Sequence, residues 1–312
     1  MQQGFAYLHT PPELGMDWDH LRFFLEVARC GTLLSASRRL GVDHTTVARR
    51  IQSLEKQLGA PVFAREATGH RLTEAGRRLL PQVEAMAAAF LAVETAAEPA
   101  PAGLSGTVRI GVTEGFGTVV VAPAVARLGL DHPGLVIDLL ALPRLVNLSR
   151  READIVISLE RPARGPVVVV KLTDYTLRLY AAKAYLAAHA PIRRPADLQG
   201  HGFITYVDDL LFSKELQLLH EVHAPERFTL RSTSVLAQHR AVATGAGLAV
   251  LPAFLADDDP ALVRVLPDAA RFTRTFWMSM PVEMKHVARV KAVWTLLRDT
   301  VAAQRQVLLP ED

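Results

Sequence analysis

Residues 18–59 constrain this chain most, because three apolar runs at helical spacing are separated there by single glycines. Leu21, Phe24, Leu25 and Ala28 share one face of a first helix that Gly31 ends. Leu33 to Leu40 form a second, short helix, with Ala36 placed where two helices cross closely, and Gly41 and Val42 supply the turn after it. In the third run Val47, Ile51, Leu54 and Leu58 make the apolar stripe. At about 100° per residue, Thr45, Arg49, Gln52 and Lys56 fall on the opposite side, with His44 and Ala48 on its flank. Asp43 stands before the first turn as the expected N-cap, its carboxylate accepting from free backbone N–H groups. Helices this short are marginal alone and need each other's apolar faces, so the pattern predicts a helix-turn-helix.

An amphipathic surface helix with solvated charges would carry the same stripe. The segment beyond the third helix argues for more. Val62 to Arg65 and His70 to Leu72 read as two short strands around a turn, a wing whose Arg65 and Arg71 are placed to grip phosphates. From Arg22 to Leu80 there are eleven Arg and Lys against five acidic residues, a local excess of +6, although the 312-residue chain carries only +3. The basic charge is concentrated where a polyanion would be bound.

The stretch from Asp17 to Pro81 resembles the winged helix-turn-helix of the LysR-type transcriptional regulators. LRFFLEVA, GTLLSASRRLGV, VARRIQSLEKQLGAPVF and RLTEAG stand in the family's order. The resemblance implies that the third helix enters the major groove. His44 and Thr45 then approach base edges, Arg49 and Gln52 meet bases or phosphates, and Ala48, Arg50, Lys56, Arg65 and Arg71 complete the DNA-binding set. Arg50, nearer the buried edge, reads as a phosphate or structural residue. The chain departs from the family where Asp43, His44 and Thr45 replace a usual Ser-Gln-Pro. Neutral His offers one donor and one acceptor, so the bidentate adenine contact of Gln is not available to it.

Thr73 is the expected N-cap of a long helix reaching Glu98. Its apolar positions Leu79, Val83, Met86, Phe90 and Val93 step by four and three, the spacing of a seam between two copies. Packing on the protein's own core is the competing use of such a face. "EPAPAGLSG" then breaks the helix with Pro99 and Pro101 and allows a hinge at Gly103 and Gly106. The expected division is a leader over 1–16, disordered or a misassigned start, a DNA-binding domain over 17–74, a dimerisation helix over 75–98, a hinge over 99–106 and a regulatory domain over 107–312.

Past the hinge, strands alternate with helix-length segments, which predicts a mostly parallel sheet with helices on both faces. GTVRIGV, DHPGLVIDL, READIVIS, LYAAKAYL and ATGAGLAVLP resemble the family's regulatory domain. The resemblance implies a periplasmic-binding-protein-like pair of α/β subdomains, about 107–178 with 281–312 and about 179–280. The chain would cross near Leu177 to Tyr180 and return near Phe276 to Pro281. A small effector is expected in the cleft between them, where strand ends and helix N-termini meet. Candidate contacts are Thr113, Glu114 and Gly115 after the first strand, Arg144 and Asn147 after the second, and Tyr206, Ser232, Thr233 and Ser234 in the second subdomain. The three hydroxyl residues serve equally as helix caps, and Glu114 would oppose a carboxylate ligand unless it points away.

Nothing points to an enzyme, a cofactor or a metal. There is no GxGxxG, P-loop or GxSxG, and the histidines of "HEVH" lack ligand spacing. A single cysteine, Cys30, excludes an internal disulfide and fits a reducing compartment. No apolar run nears the roughly 20 residues of a membrane span, so a cytoplasmic protein without a membrane partner is expected. The expected partners are double-stranded DNA with an interrupted palindrome, a small effector, further copies of the chain as a dimer or tetramer, and RNA polymerase. A ligand-independent architectural DNA-binding protein, with the C-terminal half serving assembly, is the alternative.

Overall fold

The computed structural model describes residues 17–66, 69–97, 103–141, 152–162 and 167–311. Contacts divide the chain into two compact units after Val93.

The first unit opens with α1 (Trp18–Cys30), α2 (Leu33–Leu40) and α3 (His44–Leu58). Asp17 and Thr32 cap the first two, their side chains accepting from the N–H groups of Asp19 and Ser35. Gly41 ends α2 at φ 66°, a left-handed conformation that a β-carbon would strain. Asp43 holds the N-cap position of α3, but its carboxylate makes no capping bond. Only its backbone carbonyl accepts, from Thr46 and Val47. Leu21, Phe24, Val47, Ile51, Leu54 and Val62 are buried together, each contributing on the order of 1.5–3 kcal/mol relative to exposure.

Two strands, β1 (Phe63–Glu66) and β2 (Gly69–Leu72), pair antiparallel as the wing, Arg65 opposite His70. Residue 69 must be glycine, because a β-carbon there would lie 2.4 Å from the carbonyl oxygen of Gly31. That approach lets His70 N–H donate to the same carbonyl at 2.7 Å, fixing the wing to the end of α1. Glu55 of α3 accepts from the Val62 and Phe63 N–H groups and fixes its other end. Thr73 caps α4 (Glu74–Ala97), as the sequence suggests, accepting from Gly76 N–H.

Among the described residues the second unit is a nine-stranded sheet with helices. Its strands are β3 (Ser105–Val112), β4 (Gly134–Ala141), β5 (Ile155–Ser158), β6 (Val167–Ala182), β7 (Phe203–Thr205), β8 (Phe228–Arg231), β9 (Leu248–Pro252), β10 (Leu262–Val265) and β11 (Arg271–Pro281). Parallel pairs β3–β4, β3–β5, β7–β8 and β7–β9 are matched by antiparallel pairs β6–β9, β6–β10, β6–β11 and β5–β11. The sheet is therefore mixed, not mostly parallel. The cause is the long pair β6 and β11, which run past each other in opposite directions and belong to both lobes. Their register shifts between Phe276 and Trp277.

The first lobe carries a helix, α5, in three consecutive pieces: Glu114–Phe116, a wide π-helical turn Gly117–Val121, and Ala122–Asp131. The second carries α6 (Lys183–Ala187) and α7 (Val235–Ala243), the latter capped by Ser234, whose Oγ accepts from Ala237 N–H. Its core gathers Leu179, Tyr180, Leu198, Phe203, Ile204, Val242, Leu248 and Leu251. The "LVNLSRREA" helix up to residue 151, the leader and the prolines of the hinge lie outside the described residues.

Candidate DNA-reading face and effector cleft

On α3 the burial is one-sided. Val47, Ile51 and Leu54 are buried, while His44, Thr45, Arg49, Gln52 and Lys56 are exposed on the other face. Ala48 sits half-buried at its margin. Arg50 does not join this face. Its guanidinium lies 5.8 Å from the Phe23 ring, 3.3 Å from His20 Nε2 and just under 4 Å from the carboxylates of Asp17 and Asp19. It ties α3 to α1, so of the two uses read for it the structural one is built. Arg65 is exposed on the wing, and Arg71 is exposed but paired with Glu66. Burial first, then the nearby Arg65 charge, lower the pKa of His70, so the wing histidine is held neutral.

The apolar positions of α4 divide. Val83 is fully buried within its own unit, with Leu79 packed beside it. This corrects its reading as a seam residue: the first turns of α4 close the helix-turn-helix core. Met86, Phe90 and Val93 are 47%, 48% and 65% exposed, with Phe90 resting 5.7 Å from the Trp18 ring.

In the second unit a narrow cavity of about 40 Å³ opens between the lobes. Of the sequence candidates, Thr113, Glu114, Gly115, Tyr206 and Thr233 line it. Ser232 and Ser234 do not. Ser232 accepts from Ser234 N–H, and the Ser234 hydroxyl donates to Glu114 Oε1 at 2.9 Å, joining the cap of α7 to the start of α5. Ser234 therefore caps a helix and positions Glu114. Arg144 and Asn147 lie outside the described residues.

Sequence reasoning missed most of the wall, which is aromatic: Phe116, Tyr175, Phe212, Phe254 and Phe276. Phe276 stacks on Tyr175 and lies against Phe116, ring centres 4.2 Å apart in both cases. Phe254 meets Phe116 and Tyr175 at 5.9 Å. Burial pushes the Tyr175 and Tyr206 phenols well up, so both rings are neutral; the Glu114 carboxylate adds to the effect on Tyr206.

A helix-turn-helix with an exposed polar face and a two-lobed α/β unit with a cavity between its lobes define a DNA-binding protein of the ligand-sensing kind. The profile of the bacterial regulatory helix-turn-helix protein, lysR family, matches residues 18–77, and that of the LysR substrate binding domain matches residues 101–302. The chain belongs to the LysR family of transcriptional regulators. The Mau operon transcriptional activator of Paracoccus denitrificans is 30% identical over 243 residues, covering 78% of this chain and 82% of the relative. PtxR of Pseudomonas aeruginosa is 25% identical over 260 residues, 81% and 82% of the two chains. In fold, ArgP from Mycobacterium tuberculosis matches with a TM-score of 0.65 over 92% of this chain and 98% of its own, at 20% identity. The protein is thus a DNA-binding transcriptional regulator with an effector-binding domain. No helix among the described residues is long and apolar enough to cross a membrane.

Proposed function

We propose that the chain recognises an interrupted palindromic operator through the exposed face of α3 and changes its promoter binding when a small effector enters the cleft. The carrying observation is the one-sidedness of α3, where every polar residue predicted to reach bases is exposed and the opposite stripe is fully used by the core. His44, Thr45, Arg49 and Gln52 take the base edges, with Ala48 leaving room for approach. Lys56, Arg65 and Arg71 hold phosphates, which fix register without reading sequence. Arg71 exchanges Glu66 for a phosphate on binding.

The reading takes 17–74 as the DNA-binding domain, 75–98 as the pairing helix and 107–312 as the regulatory domain. Met86, Phe90 and Val93 form the apolar patch by which two chains pair, and their two-fold symmetry appears in the operator. The oligomer is a dimer or tetramer in the cytoplasm, RNA polymerase is a partner at the promoter, and no catalytic step is assigned to the chain. For the effector to regulate, it must prefer one arrangement of the oligomer over the other.

The test is capture of sheared DNA from the source organism by the purified full-length protein at physiological salt. Enrichment of a few intergenic sequences with inverted half-sites is expected. Uniform recovery would overturn sequence-specific regulation in favour of an architectural role.

A further inference from the structure

The chemistry of the cleft is lopsided. Glu114 Oε1 accepts from Ser234, but Oε2 is closed off from solvent and has no donor within reach. A buried carboxylate oxygen left without a partner is costly, so the arrangement is complete only when something brings a donor to it. Six aromatic residues line the same cavity, a wall that tolerates an organic cation better than an anion, and no Lys, Arg or His is among the described residues that line it. Arg274, the cation whose field reaches Tyr175, is itself held by Glu215 at 2.9 Å and Glu221 at 2.6 Å. The cavity, about 40 Å³, admits only a few atoms in this conformation.

We infer that the cleft selects a small organic ammonium ion, a protonated primary amine whose N–H groups bond Glu114 Oε2 and whose short alkyl body fills the rest of the aromatic-lined cavity. The inference rests on the cleft being the effector site and adds the charge and size of the ligand. A carboxylate of the same size would meet Glu114 as a like charge with no cation among the described lining residues to offset it.

The experiment uses the full chain and n-alkylammonium chlorides from methyl to hexyl with benzylammonium, each matched by its alcohol and its carboxylate. Thermal unfolding and calorimetric titration are read together. At least one ammonium ion should raise the melting temperature of the regulatory unit by about 3 °C or more at large excess, while its alcohol and carboxylate do not. Glu114→Gln keeps an oxygen for the Ser234 hydroxyl and removes the charge, and should weaken that ammonium ion at least about tenfold in Kd. The wild-type comparison of three charge states needs no variant to fold. Equal stabilisation by carboxylate or alcohol would overturn the ammonium assignment and leave the cleft as the effector site. Silence from all three series would overturn it as well. A small-molecule extract of the source cells then separates the two readings: a shift keeps the cleft as effector site, and no shift removes both.

Discussion

Arg49, Gln52 and Lys56 stand in water on one helix, with the core behind them supplied by Val47, Ile51 and Leu54 of that same helix. Around the cavity the order is reversed. Phe116, Tyr175 and Phe276 are 1–2% exposed, come from a helix and two strands, and are at once the wall and the structural core. In the proposed function the first site meets a large polyanion from outside and separates reading from folding. The second, as proposed, takes up a small molecule, so the residues that would recognise it also hold the lobes together. Substitution should therefore separate function from stability in the first unit and fail to do so in the second.

The largest effect that sharpens this contrast is Phe276→Ala. Removing a ring stacked between Tyr175 and Phe116 should cost the regulatory unit about 3–5 kcal/mol. Calorimetry should show that unit's transition falling while the protection of α1 to α3 against hydrogen exchange is unchanged. Arg49→Ala and Gln52→Ala should each cost about 1–3 kcal/mol of discrimination between operator and random DNA, with melting unchanged. Competition binding at fixed salt reads the first quantity, and a drop in melting temperature would show that the face is not separate from the core. Ser234→Ala removes a helix cap and the donor to Glu114, so about 1 kcal/mol of regulatory-unit stability should go.

Smaller effects lie at the wing and in the response to pH. Arg65→Ala should weaken operator and random DNA alike and reduce the slope of log K against log salt by about 0.9. Retained slope with lost discrimination would move Arg65 from phosphate to base contact. His201 and His239 in the regulatory unit and His70 in the wing all have pKa values lowered, chiefly by burial. The unfolded chain then binds more protons, so stability present at neutral pH is lost as pH falls through the ordinary histidine range near about 6.5. Calorimetry at pH 7.5 and 5.5 should show both units weakening, the regulatory unit more because it holds two such groups. Stabilisation on acidification would contradict the sign.

The first unit is largely legible in the sequence because its signals are local. A 3.6-residue period over fifteen residues fixes which face of α3 is wet, and Gly31 and Gly41 mark both helix ends. Sequence and structure part where a tertiary partner intervenes. Arg50 looks like its neighbour Arg49 until Asp17, Asp19 and Phe23 of α1 claim it. Val83 continues a heptad spacing that the helix-turn-helix core then uses. In the cleft, Thr113, Glu114, Gly115, Tyr206 and Thr233 are legible because turns after strands are where α/β sites occur. The aromatic wall is not, because Phe116, Tyr175 and Phe276 look like any core residues in sequence. Only the antiparallel pairing of β6 with β11, itself hidden among strands expected to be parallel, brings Tyr175 and Phe276 side by side. The four-residue strand β10 escapes for a related reason: it is an edge addition to β6 between Pro260 and Pro267, with no periodicity of its own.

The most direct measurement is a footprint of the full-length protein on a captured intergenic site, with and without small-molecule extract of the source cells. Two protected half-sites are expected, changing in extent or spacing when extract is added, with Arg49→Ala needing at least about fivefold more protein for the same protection. A footprint insensitive to extract and unaltered by Arg49→Ala would contradict both the DNA-reading face and its control from the cleft.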